Sequence, residues 1–268
     1  MKPKRIKSFY LQNQFSYKIT REAYCFLLTI SLLTLFFPET NSAQIIRKSQ
    51  VSFKASDGLL VTADLYLSKK SNPYIILFHQ EKSSRGEFDS ITSRFIKMNY
   101  NCMAVDLRSG ENLGFVNNET FKRAREDGYP YSLPEAMKDM EAAIDYLYHS
   151  TGNKISIFGS SSSASMALIE GRDNEHVNAV LAFSPGEYFA PEYKLKSILT
   201  NYPKPVFVAC TSDEIKYFSD IEGFPGPDKI LFKTTMKEGV RGTSALRREN
   251  PLRDEYWLSL LLFFKSLQ

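Results

Sequence analysis

Five short apolar runs constrain this chain most: residues 74–78, 102–105, 155–158, 177–183 and 206–210. Runs of that length, apolar almost throughout, are what strands of a parallel sheet look like when both faces are covered. Helical spacing fills the gaps between them. Phe88, Ile91, Phe95 and Met98 form one stripe over 86–98. Ala136, Met140, Ile144 and Leu147 form a second, behind Ser132 as N-cap, Pro134 in the first turn and Glu135 closing a capping box. Met166, Ala167 and Leu168 open a third helix, and residues 256–267 read as an apolar amphipathic fourth. Ahead of these units, residues 51–53 and the alternating 60–67 flank Ser56-Asp57-Gly58, a hairpin turn signal. Residues 229–232 add a late strand. The pattern predicts an α/β fold with a mostly parallel, eight-stranded sheet covered by helices on both faces. Residues 107–131 are polar and irregular; 111–131 read either as a partial lid or as a long surface loop.

The N-terminus differs in kind. Lys2, Lys4, Arg5, Lys7, Lys18 and Arg21 precede any acid, then residues 23–37 are apolar apart from Thr and Ser, and Asn41-Ser42-Ala43 supplies small residues. That order is the order of a secretory signal. It predicts a signal segment over 1–43, an exported (periplasmic or extracellular) protein, and a folded domain over 44–268. The apolar run is short for a membrane span of about 20 residues, so an uncleaved anchor is the second reading and the chain's only expected membrane contact. Of the 34 basic and 30 acidic residues, six and two lie in 1–43, so the remainder balances at 28 of each. A neutral domain gives no electrostatic reason to bind nucleic acid. No glycine-rich phosphate loop and no metal-ligand spacing is present, so no cofactor or metal is expected.

Between the strand at 155–158 and the helix that follows stands Gly159-Ser160-Ser161-Ser162-Ser163. G-x-S-x-G at a strand-to-helix turn is a nucleophile elbow: small neighbours let the chain reverse sharply, leaving the serine oxygen above the sheet at a helix N-terminus. Here Ser163 takes the second glycine's place. With residues 77–80 (Leu-Phe-His-Gln), 104–110 (Ala-Val-Asp-Leu-Arg-Ser-Gly), 183–186 (Phe-Ser-Pro-Gly) and 211–214 (Thr-Ser-Asp-Glu), the chain from about Val51 onward resembles α/β-hydrolases of the dienelactone-hydrolase and small serine-esterase kind.

That resemblance implies the α/β-hydrolase fold and a small-molecule ester or acyl substrate. It implies Ser161 as nucleophile, Asp213 as the acid orienting a histidine, and the backbone N–H groups of Gln80 and Ser162 as the oxyanion hole. Structural roles compete for the same residues: Asp213 as a helix cap, Gln80 as a turn residue, His79 as a hydrogen-bonded strand end. The resemblance also implies a central strand order 4-3-5-6-7, which sets Cys102 and Cys210 four strands apart, roughly 19 Å at about 4.8 Å per step. A disulfide needs Cα atoms within about 7 Å, so both thiols are expected free and buried.

The pattern breaks at its third catalytic position. The loop that should carry the histidine reads Gly239-Val240-Arg241-Gly242-Thr243, with Arg241 where histidine belongs. The three histidines, His79, His149 and His176, all precede Asp213, and only His79 lies on a strand next to the elbow. Arginine holds its proton up to pH values above about 12, so it accepts none from serine. Three readings follow: a hydrolase homologue (a pseudoenzyme) with activity weakened or lost; an active hydrolase using His79 or another group as base; and a non-catalytic protein that binds an anionic ligand in the cleft through Arg241, which the sequence also allows to pair with Asp213.

Overall fold

The computed structural model describes residues 46–233 and 239–267. The signal segment expected over 1–43 lies outside the described residues. Among those described, no helix is long and apolar enough to cross a membrane.

Eight strands form one sheet in the order β1-β2-β4-β3-β5-β6-β7-β8. β1 (Arg47–Lys54) and β2 (Leu60–Leu67) are the hairpin, closed at Gly58 with φ +92°. β2 runs antiparallel to β4 (Asn101–Val105); β3 (Tyr74–Phe78), β4, β5 (Ile155–Ser160), β6 (Val177–Phe183), β7 (Val206–Ala209) and β8 (Lys229–Phe232) are mutually parallel. This is the eight-stranded, mostly parallel sheet expected, with its central order 4-3-5-6-7.

Strand side chains alternate between the faces, and two separate cores result. One face sets Ile76, Met103, Ile157, Val180 and Val208 against α3 (Met137–Thr151) and α4 (Ser162–Asp173) through Met140, Ile144, Met166 and Leu168. The other sets Ile75, Leu77, Phe158, Leu181 and Phe207 against α1 (Thr92–Lys97) and α6 (Arg253–Ser266) through Phe95, Trp257, Leu260 and Phe263. The short α5 (Leu195–Leu199) adds Leu195 and Leu199 to the first core.

Three local expectations are corrected. The stripe over 86–98 is a 3₁₀ turn, Arg85–Phe88, followed by α1 from Thr92, not one helix. The capping box at Ser132 does not form: a 3₁₀ turn over Pro134–Ala136 precedes α3, with no side-chain cap, and Glu135 pairs with Lys138 at 2.5 Å instead. The polar stretch 107–131 contains a helix, α2 (Glu119–Glu126), capped by Asn118 Oδ1 accepting the Phe121 N–H at 2.8 Å.

The loop after β4 is fastened by buried charge. Arg108, fully buried, donates to Asp139 on α3 through Nε (3.0 Å) and Nη2 (2.7 Å), and to Asp57 in the hairpin turn through Nη1 (2.5 Å) and Nη2 (3.0 Å). A fork of this kind ties hairpin, sheet and helix together by charge-assisted bonds. The Arg108 hydrogen bonds hold the Asp57 carboxyl at about 2, against an ordinary value of about 3.9. A lowered carboxyl contributes stability that is complete above the unfolded-chain value and lost as the pH falls through the folded one. Asp57→Asn is therefore expected to lower stability at pH 7 and to flatten the loss between about pH 4 and pH 2, read by urea unfolding across that range.

Cys102 and Cys210 are free and buried, as expected. Burial pushes both thiols up, Cys210 to about 12. Neither is expected to react with a thiol reagent at pH 8 in the native protein, and both are expected to react in denaturant, read by peptide mass.

Candidate active site

β5 ends in a sharp backbone reversal into α4. Ser161 has φ +56° and ψ −115°, a conformation that costs a non-glycine residue about 1–3 kcal/mol. Its N–H still donates to the Phe183 carbonyl at 2.8 Å, prolonging the β5–β6 ladder by one bond before α4 begins. The turn is tight enough that a Cβ on Gly159 would lie 2.2 Å from the Ser163 carbonyl oxygen. Ser163 fits where the motif has glycine because its hydroxyl donates to the His79 carbonyl at the end of β3. Ser162 accepts the Glu81 N–H at 3.0 Å. The small residues thus weld the elbow to the neighbouring strand. Since backbone cannot yield at Gly159, Gly159→Ala is expected to cost about 3 kcal/mol or to prevent folding, read by urea denaturation and soluble yield.

The turn Gly242–Leu246 packs directly on the elbow. Thr243 N–H donates to Ser160 Oγ at 3.0 Å, and Gly242 N–H donates to Ser184 Oγ at 3.0 Å. The Thr243 hydroxyl donates to the buried Glu87 carboxylate. Gly242 has φ +56°, and a Cβ there would lie 2.7 Å from Ser160 Oγ, so the position requires glycine. This places Arg241 beside Ser161.

Arg241 Nε lies 2.9 Å from Glu214 Oε1, and its Nη2 donates toward the Tyr188 hydroxyl oxygen at 3.4 Å. The Tyr188 hydroxyl is 2.8 Å from Ser161 Oγ. The order in space is therefore Glu214, Arg241, Tyr188, Ser161. The acid that Arg241 meets is Glu214, not Asp213, which is exposed. Glu214 is 5% exposed and accepts the Thr211 N–H at 2.8 Å through its other oxygen. Thr-x-x-Glu with this reach-back bond is a capping-box pattern, the one sequence signal that separates Glu214 from its neighbour. Tyr188 carries no comparable signal, because only the loop after β6 brings it to the elbow.

The expected oxyanion donors are unequal. Ser162 opens α4, where the first N–H groups have no partner within the helix. The Gln80 N–H is already committed to Glu87 Oε2 at 3.1 Å. Glu87 is a buried carboxylate that needs donors, and Gln80 and Thr243 supply them.

No histidine reaches this point. His79 is fully buried; its Nε2 accepts the Leu107 N–H at 2.9 Å, so its proton is on Nδ1, which donates to the Gln80 carbonyl at 2.7 Å. Both ring nitrogens are thus engaged in backbone bonds. His176 pairs with Asp145 at 3.0 Å and stacks on Tyr148 at the start of β6, and His149 ends α3; both are at the opposite end of the strands from Ser161.

No protein-family model matches the chain, and no curated protein matches it in sequence. Solved structures do match in fold. An esterase from Pyrococcus furiosus gives a TM-score of 0.61 over 82% of this chain and 91% of that one, at 16% identity. A dienelactone hydrolase from Anabaena variabilis gives 0.59 over 82% and 98%, at 17% identity. A cold-adapted esterase from an Arctic intertidal metagenomic library gives 0.54 over 81% and 94%, at 15% identity. At these identities the likeness concerns the fold.

Proposed function

We propose, from the α/β-hydrolase fold that this chain has, that it derives from serine esterases acting on small carboxylic esters and that Arg241 in the histidine position leaves it with weakened or lost turnover. One observation carries this reading: the guanidinium stands between a buried carboxylate and the Tyr188–Ser161 pair, where a triad has its imidazole. A permanent cation there takes no proton from Ser161. In a serine protease, loss of the base costs about 10⁶ in kcat. Glu214, rather than Asp213, is the residue we assign to orient a histidine at 241. The same reading takes residues 1–43 as a cleaved secretory signal, with N-terminal sequencing of the secreted protein as its check; an intact leader would instead leave residues 23–37 as an anchor.

The test is p-nitrophenyl acetate hydrolysis by wild type, Ser161→Ala and Arg241→His. Arg241→His is expected to gain about 10²-fold or more over wild type, and Ser161→Ala on that background to remove the gain. Glu214→Gln on that background is expected to remove most of the gain, whereas Asp213→Asn leaves it. No gain in Arg241→His would sink the reading.

A second reading has its own support. The Arg241 side chain is 62% exposed and stands beside the Ser161 hydroxyl and the α4 N-terminus, a setting that suits a carboxylate or phosphate. Butyrate and inorganic phosphate are then expected to raise the thermal midpoint of wild type and not of Arg241→Ala.

A further inference from the structure

The seryl oxygen has a neighbour that the triad pattern does not include. The Tyr188 hydroxyl lies 2.8 Å from Ser161 Oγ, within reach for direct proton transfer. We infer that Tyr188, as phenolate, is the general base of whatever acyl transfer this site performs. The inference rests on the reading of Ser161 as nucleophile.

Tyr188 is held in place from two sides. Gly186 N–H donates to Ser165 Oγ on α4 at 3.0 Å, and Ser165 Oγ donates to the Gly186 carbonyl at 2.8 Å, pinning the loop two residues before the tyrosine. Glu187, immediately before the tyrosine, accepts the Leu195 N–H at 3.2 Å through its carboxylate. The phenol oxygen also faces Arg241 Nη2 at 3.4 Å, and Glu214 holds that guanidinium from behind. A fixed cation stabilises negative charge on the oxygen it faces. Arginine in the histidine position thereby supports a different base instead of merely removing one.

The step balances within these groups. The Tyr188 phenolate takes the proton from Ser161 Oγ as Oγ bonds the acyl carbon and the carbonyl electron pair moves to oxygen. Collapse re-forms the carbonyl and breaks the ester C–O bond, and the departing alcohol oxygen takes the proton back from Tyr188. Water then repeats the sequence on the acyl-serine, releasing the carboxylic acid and restoring both side chains. A base that must first give up its own proton acts faster as the pH rises, so a reaction that needs it is slow at neutral pH.

The experiment is the rate of fluorophosphonate labelling of the full chain from pH 7 to 10, in wild type, Tyr188→Phe, Ser161→Ala and Arg241→His. The probe forms an Oγ–P bond and releases fluoride and the seryl proton, so it reports the same deprotonation. Tyr188→Phe removes one oxygen from a side chain that is 41% exposed and is expected to leave the thermal midpoint unchanged. Expected is slow Ser161-dependent labelling in wild type that climbs with pH, with Tyr188→Phe at least about tenfold slower at pH 9 and its pH slope lost. Equal rates in wild type and Tyr188→Phe overturn Tyr188 as base while leaving Ser161 as nucleophile. Labelling in Arg241→His but never in wild type overturns it in the same way. Labelling in none of the proteins overturns the nucleophile reading itself.

Discussion

The reversal of the backbone at Ser161 is the constraint on which the rest of the site depends. A non-glycine residue at φ +56° and ψ −115° persists only when its surroundings over-determine it. Here those surroundings are specific: the Ser161 N–H on the Phe183 carbonyl, Ser163 on the His79 carbonyl, Ser162 under Glu81, and a glycine at 159 with backbone pressed against it. The elbow is thus fastened to β6 on one side and to the end of β3 on the other. Serine can replace the motif's second glycine because it brings a hydrogen bond across to β3.

The turn that carries Arg241 is fixed independently of residue 241 itself. Gly242 and Thr243 bond to Ser184, Ser160 and Glu87, all buried, while the Arg241 side chain projects into solvent from the end of that frame. Substitution at 241 therefore alters the chemistry of the site with little consequence for packing. This separates two costs that commonly coincide at catalytic positions: loss of the proton acceptor, and loss of the structure that held it.

Much of this architecture was legible in the sequence, for a physical reason. Strands buried on both faces must be apolar throughout, so 74–78, 155–158 and 177–183 announce themselves, and the small-residue run at 159–163, which alone reads equally as a capped loop, reads as an elbow only because that sheet surrounds it. What was not legible depended on tertiary partners. The pattern at Ser132 and Glu135 has the letters of a capping box, but Glu135 pairs with Lys138 and the chain enters α3 through a 3₁₀ turn. The helix at Glu119–Glu126 was missed because its short, polar run has only Thr120 and Ala124 to bury. Asp213 and Glu214 are adjacent carboxylates, and the Thr211–Glu214 spacing that separates them in the sequence gains its meaning only from the burial of Glu214 against Thr211 and Arg241. Gln80 has the right place for an oxyanion donor, yet its N–H is claimed by Glu87, seven residues on.

The Arg241–Glu214 pair also bears on which residues position 241 can hold. A buried carboxylate stripped of its partner carries a desolvation penalty of several kcal/mol. Glu214 is nearly fully buried, and its Oε1 meets no donor other than the guanidinium among the described residues. A small neutral residue at 241 would leave that oxygen uncompensated, whereas arginine reaches it at 2.9 Å and keeps its remaining donors in solvent or on Tyr188. A long cation at 241 satisfies the buried Glu214 carboxylate, and it does so while turning its charge toward the phenol that faces Ser161.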